Sequence, residues 1–363
     1  MSILIFIIIL SALIIVHELG HFLMAKKFSV RVDEFGLGFP PRVKHLFTWK
    51  GTPFTLNWLP FGGFVKIFGE NPEPLDPSAP NSFQSKNRAI QATILVSGVA
   101  GNFIFAWFLL SLGFIVGLPM PAGQAIPIEN PHTVITLILP LSPAEEAGIK
   151  SGDTLISLSR GKEMLPAVSG QTISPEEVTN FIAFSSGPIT FTVERGGEIL
   201  EKIIAPRMGI VTDRPAVGIS MDIMGIAKLQ LPEALWHGLR TTSELTVLTG
   251  QAIITFITQA LGGRADVSGI AGPVGIVGMV DDARALGIVY LMTFTALISI
   301  NLTVINLLPF PALDGGRLFF IFIEVITRRR IPPKVFNIVN TAGFALLILL
   351  MVLITIHDIR NVF

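Results

Sequence analysis

The chain has 363 residues, of which 50% are hydrophobic and only 14% charged, with 26 Lys+Arg balanced by 26 Asp+Glu. A mean hydropathy of +0.66 is well above that of a soluble domain and points to a membrane protein. The zero net charge excludes an electrostatic case for nucleic acid as a partner, and the absence of cysteine excludes disulfides and thiolate metal sites. Four stretches, 1–25, 89–118, 286–309 and 336–356, reach the ~20 apolar residues a bilayer requires. In the first, residues 1–16 carry no charge, and Lys26 and Lys27 follow the apolar run rather than precede it. That pattern predicts a retained anchor with its N-terminus outside. The loop 26–88 carries nine Lys/Arg and so belongs on the cytoplasmic side, as does the Arg-rich connection at 317–334, which leaves 119–285 outside.

Between the spans, "TPFTLNWLPFGGFVKIFGE" (52–70) reads as strand, turn at Gly62-Gly63, strand, a cytoplasmic membrane-associated β-hairpin. "GLGF" at 36–39 lies in this element and reads as a tight glycine turn rather than a ligand loop. "NPEPLDPSAPN" (71–81) is a Pro-rich linker. Residues 125–215 have the pattern of one small α+β domain. "TVITLIL" is a strand, "SPAEEAGIKSGDTLISL" a short capped helix, turn and strand, "SPEEVTNFIAF" a helix opened by Ser174 with Glu177, and "ITFTVERGGEILEKIIA" a pair of strands around Gly196-Gly197. Residues 232–261 contain the uncharged stretch 245–261 and are read as an amphipathic helix at the membrane surface.

The chemistry sits in "IIVHELGHFLMAKK" (14–27), where two histidines and a glutamate end an apolar run. Ionisable groups at membrane depth cost about 2.5–3.5 kcal/mol each, so they persist there with a partner or a task. His17 and His21 are one helical turn apart and present both imidazoles on one face. Glu18 lies beside them, the HExxH arrangement in which two histidines hold zinc and the glutamate is the general base. A third protein ligand is required, and His45, His132, His237 and His357 are isolated. The best candidate is Asp314 in "NLLPFPALDGGRL", where Pro309 and Pro311 break the helix and Gly315 and Gly316 permit a turn. His17 and His21 lie near the cytoplasmic end of the first span, so Asp314 must lie there too. That holds for four spans and fails if 245–261 crosses. Ser97, Gly98 and Gly101 in the second span read as close-packing positions, and Asn102 as a hydrogen bond across helices.

HELGH, "SGVAGNFIFAW" (97–107), "PAEEAGIKSGDTLISL", "SGIAGPVGI" (268–276) and "NLLPFPALDGG" occur in this order along the chain. Together they resemble the site-2 protease family of intramembrane zinc metalloproteases, on its regulator-of-sigma-E protease branch. The resemblance implies a multi-pass α-helical membrane protein with four transmembrane helices, a cytoplasmic β-hairpin and one inserted extracytoplasmic PDZ domain. Its domains would be 1–27 with HELGH, 28–88 the β-element and linker, 89–118 the second span, 119–228 the PDZ domain, 229–285 the surface helix and connector, 286–317 the third span with LDGG, and 318–363 a cytoplasmic turn, the fourth span and a short tail. It implies Zn²⁺ held by His17, His21 and Asp314, Glu18 as catalytic base, and Asn301 and Asn306 in substrate handling. The expected location is the bacterial inner membrane, with the PDZ domain outside and the active site near the cytoplasmic side. Expected partners are transmembrane protein substrates, the lipid bilayer and a peptide C-terminus at the PDZ domain. One PDZ domain stands where the best-known members of the branch have two. The competing class is a membrane-anchored PDZ scaffold or a metal transporter. A scaffold would have no use for Glu18, and a transporter would spread ionisable residues over several spans.

Overall fold

An uncharged stretch dominated by Ile and Leu before residue 17 forms the first part of α1 (Ser2–Lys27), which ends as Lys26 and Lys27 occupy its last turn. This computed structural model describes residues 1–70, 81–123, 126–166, 171–185, 187–211, 214–264 and 272–362. The linker 71–81, apart from Asn81, and the first four residues of the motif 268–276 therefore fall outside the described residues. The chain divides into two compact units, one of Met1–Leu112 with Pro232–Phe363 and the other of Gly113–Leu231.

In the first unit α1 packs against α2 (Arg88–Val116) through small residues. A Cβ on Gly101 would stand 2.8 Å from the carbonyl oxygen of Val16, so glycine there sets how closely the two backbones approach. After α1 the chain forms β1 (Val32–Trp49) and β2 (Thr52–Ile67), paired antiparallel with repeated register shifts. Residues 32–37 pair with 63–67, residues 42–49 pair with 52–57, and residues 35–37 lie also against 54–56. The element is thus a small sheet of four segments, in the order 42–49, 52–59, 32–39, 62–67, rather than a single hairpin turning at Gly62-Gly63. Gly62 does turn, at φ 106. The strands on either side of it pair with β1 and not with each other, because the aromatic core of Phe22, Phe35 and Phe54 draws β1 between them. The tetrapeptide 36–39 is a length of β1, with Asn57 donating to the Gly38 carbonyl at 3.0 Å.

Beyond the second unit, the first unit continues with α5 (Leu231–Leu261), α6 (Pro273–Leu286), α7 (Ile288–Leu307), α8 (Asp314–Thr327) and α9 (Pro333–Val362). Among the described residues five helices, namely α1, α2, α5, α7 and α9, are long and apolar enough to cross a membrane by length and composition. Helix α5 packs on the others through residues 235–250. Trp107 Nε1 donates to Leu235 O at 2.9 Å, Gly238 meets Ser111, Leu245 lies on Ala106, Leu110, Ala296 and Ile300, and Gly250 approaches Val304. It therefore runs antiparallel to α2 and alongside α7. Helix α6 is capped from a distance, as Asp358 of α9 accepts from Gly272 N–H at 3.1 Å and Gly275 N–H at 2.9 Å. The segment after LDGG, read as a turn, is the 14-residue helix α8, whose apolar positions Phe319, Phe322 and Ile326 stay exposed.

The second unit holds β3 (Leu118–Pro121), β4 (Glu129–Ile138), α3 (Pro143–Glu146), β5 (Thr154–Arg160), β6 (Glu163–Leu165), α4 (Pro175–Ala183), β7 (Ile189–Arg195), β8 (Glu198–Ile204), β9 (Arg207–Val211), β10 (Arg214–Ala216) and β11 (Ile219–Ala227). Its main sheet has the order β3-β11-β4-β5-β7-β8, with β6 on β5, while β9 and β10 pair separately. Ser174 and Glu177 form a reciprocal cap on α4, which lays Val178 and Ile182 onto a core of Ile135, Leu158, Phe191 and Val193. A bidentate ion pair supports the β5–β7 side. Arg195 reaches Asp153 at 2.6 and 2.7 Å, and Asp153 also accepts from Lys150 N–H.

Candidate metal centre

One helical turn separates His17 from His21 on α1, and the two imidazoles meet with their Nε2 atoms 3.2 Å apart. Asp314 arrives from the opposite end of the chain. The prolines after α7 end that helix, Ala312 takes a left-handed φ of 73, and Asp314 opens α8. The turn expected of Gly315 and Gly316 is thus made by Ala312. Those glycines are buried in the first turn of α8, and a Cβ on either would run into the backbone carbonyls of the 307–310 segment. Their role is to let α8 sit tightly under the end of α7, which aims Asp314 at the histidines.

Asp314 Oδ2 lies 3.0 Å from His17 Nε2 and 3.3 Å from His21 Nε2. A tetrahedral ion with bonds of about 2.0–2.1 Å separates its ligand atoms by about 3.3–3.4 Å, so the three atoms have the spacing of one shared ion. Asp314 Oδ2 is buried and has no hydrogen-bond partner despite this proximity. A carboxylate oxygen left so is expensive unless a cation completes it. The residues present fit a zinc ion. Among the described residues no other group of three or more such side chains comes together.

Helix α2 forms the wall behind the histidines. His21 Nδ1 lies 2.8 Å from Ile94 O, and the Asn102 carboxamide lies 3.3 Å from His17 Nδ1. Gly98, between them, leaves the room that the rings occupy; a Cβ there would collide with His21 Nε2 and stand 2.9 Å from His17 Cε1. A cavity of about 270 Å³ opens on the cluster, lined by Ile14, His17, Glu18, Asn102, Asn306 and Asp314 among others. Five of the six predicted site residues therefore meet at one place. Asn301 does not; it is exposed and stands apart from this cavity. Sequence reasoning missed Ile94, gave Gly98 a close-packing role, and read Asn102 as a hydrogen bond across helices without naming His17 as its partner. A backbone carbonyl leaves no mark in a sequence, although the positions of Gly98 and Asn102 in an apolar helix were a signal.

Several membrane-length helices around a His-His-Asp cluster with an adjacent glutamate define the class as a membrane metallopeptidase. Residues 5–350 match Peptidase family M50, and the chain belongs to that family. A Clostridium perfringens protein bearing a zinc metalloprotease name is 37% identical over 350 residues, covering 96% of each chain. One from Clostridium acetobutylicum, with a name of the same kind, is 33% identical across 99% of this chain and 97% of its own. The zinc metalloprotease RasP of Geobacillus kaustophilus is 28% identical, covering 100% of this chain and 98% of its own. The protein is a zinc metalloprotease.

Proposed function

We propose that the protein is an intramembrane zinc endopeptidase that hydrolyses peptide bonds within or near the transmembrane segments of single-span membrane proteins, the chemistry of regulated intramembrane proteolysis. The observation that carries this reading is the convergence of His17, His21 and Asp314 on one point, with His17, Asp314 and Glu18 lining one cavity. His17 Nε2, His21 Nε2 and Asp314 Oδ2 hold the zinc. When bound, zinc supplies a Lewis acid for the scissile carbonyl and a water with a pKa near ~7. Glu18 accepts a proton from the attacking water and returns it to the leaving amide nitrogen. Asn306 donates from its carboxamide to the substrate backbone, and Asn301 acts in substrate handling before the peptide reaches the cavity. A helical substrate hides its carbonyls and must unwind. The segment 62–67, at the edge of the small sheet with Gly63 lying against Ile14, is suited to hold the unwound chain by strand addition.

The membrane is the bacterial cytoplasmic membrane, crossed by α1, α2, α7 and α9, with the metal site towards the cytoplasm and residues 119–228 outside as a PDZ domain. In that domain a cavity of about 190 Å³ lies between α4 and residues 217–221. Among the described residues, 219–222 of β11 pair on one side only, with β4. An extended peptide C-terminus can add to that edge, its side chains on Leu139 and Ile182 and its carboxylate near Arg214.

The decisive experiment is Glu18→Gln. Zinc content is expected to stay at the wild-type level while cleavage falls by about 10²–10⁴-fold. Crosslinking on this variant should then trap uncleaved single-span proteins. Near-normal cleavage by Glu18→Gln would remove Glu18 from the chemistry.

A further inference from the structure

Both histidines are backed by the same helix. His21 Nδ1 lies 2.8 Å from the carbonyl oxygen of Ile94. A carbonyl only accepts, so Nδ1 carries the proton and the Nε2 lone pair is left facing His17 and Asp314. His17 has the same requirement. Its Nε2 faces His21 and Asp314, so as a zinc ligand its Nδ1 must be protonated and needs an acceptor. The group standing there is the carboxamide of Asn102, about two helical turns beyond Ile94 on α2.

Asn102 Nδ2 is 3.3 Å from His17 Nδ1, while Asn102 Oδ1 is buried without a hydrogen-bond partner. An amide N–H facing an imidazole N–H is donor against donor. A half-turn of the carboxamide about its Cβ–Cγ bond resolves both defects, giving the orphaned oxygen a donor and the imidazole an acceptor. The rest of the residue is fixed. Asn102 is 0% exposed, and its backbone carbonyl accepts from Ser299 Oγ at 2.8 Å, tying this turn of α2 to α7. Only the side-chain amide has freedom to choose.

We propose that Asn102 is a positioning residue of the metal site: its Oδ1 accepts a hydrogen bond from His17 Nδ1–H and so fixes the tautomer and ring plane in which Nε2 meets the zinc. This rests on the zinc-site reading above and extends it to the outer shell, where such acceptors contribute about 10–100-fold in metal affinity. Helix α2 then supplies one acceptor per histidine, a backbone carbonyl for His21 and a side-chain carbonyl for His17, with Gly98 making room between them.

The test compares Asn102→Leu, of similar volume but without an acceptor, with Asn102→Asp, which keeps one. Zinc affinity is measured by competition with a chromophoric chelator on the full chain in detergent, and the cobalt-substituted protein is examined by its visible absorption. Asn102→Leu is expected to bind zinc about 10–100-fold more weakly and to alter the cobalt bands. Asn102→Asp is expected to stay within a few-fold of wild type with wild-type-like bands, although a carboxylate is the poorer substitute for apolar packing. Should Asn102→Leu fail to fold, Asn102→Val serves as the acceptor-free variant. Equal losses in the Asp and Leu variants would reduce Asn102 to packing and overturn the proposal, as would an acceptor-free variant with wild-type affinity. A wild-type chain that holds no zinc would overturn the metal reading and this proposal together.

Discussion

Three side chains hold the proposed zinc, and removing any of them leaves two protein ligands where about three are usual. His17→Ala, His21→Ala and Asp314→Ala are each expected to lower metal content from about one zinc per chain to well below it, read by elemental analysis of the detergent-purified protein. Full zinc and activity in Asp314→Ala would remove it from the ligand set. Gly98 gives a sharper test of the packing around the site. A methyl group there would press on His21 Nε2 and on His17 Cε1, so Gly98→Ala is expected to reduce zinc content and cleavage while helical content stays unchanged. Unchanged metal in Gly98→Ala would mean that α1 and α2 separate freely at this point. The HExxH group was legible because ionisable residues at a one-turn spacing are conspicuous in an apolar run. The role of Gly98 was not, since a glycine that makes room for an imidazole and one that brings two backbones together look alike in a sequence.

At the scale of elements, local signals named local structures well. Ser174 and Glu177 cap α4, and Gly196-Gly197 turn the β7–β8 pair, because capping and turn chemistry act within a few residues. The small sheet of β1 and β2 shows where this fails. Its register depends on which segments the aromatic core brings together, and Gly62-Gly63 carry no information about that. The Arg195–Asp153 pair is another non-local feature, with Asp153 only 1% exposed. The hydrogen bonds to Asp153 hold the Arg195 guanidinium above its ordinary pKa. Arg195→Ala would strand a buried carboxylate and is expected to destabilise the second unit by about 3 kcal/mol, seen as a lower denaturation midpoint with zinc content unchanged. A wild-type midpoint would show that water or Lys150 N–H satisfies Asp153 unaided.

For the whole molecule, α5 tests how the chain threads the bilayer. Among the described residues it is a fifth candidate by length and composition, and it packs on α2 and α7 through Gly238, Leu245 and Gly250 while residues 251–261 stay largely exposed. Reporters fused after residue 88, within 160–215, after 262 and at 330 are expected to read inside, outside, outside and inside under the four-span topology. An inside signal after 262 would make α5 a crossing helix and require the chain to return across the membrane before α7. Sequence alone determined the membrane class, the family, and the local presentation of His17, Glu18 and His21, because hydropathy and the 3.6-residue period are properties of contiguous residues. Only the tertiary structure decided that Asp314 meets those histidines at the distance of one shared ion, that Asn306 joins them and Asn301 does not, and that the Asn102 carboxamide stands behind His17. Those outcomes depend on helix-to-helix packing between distant parts of the chain, and the small residues that permit such contacts do not say which partner they will meet.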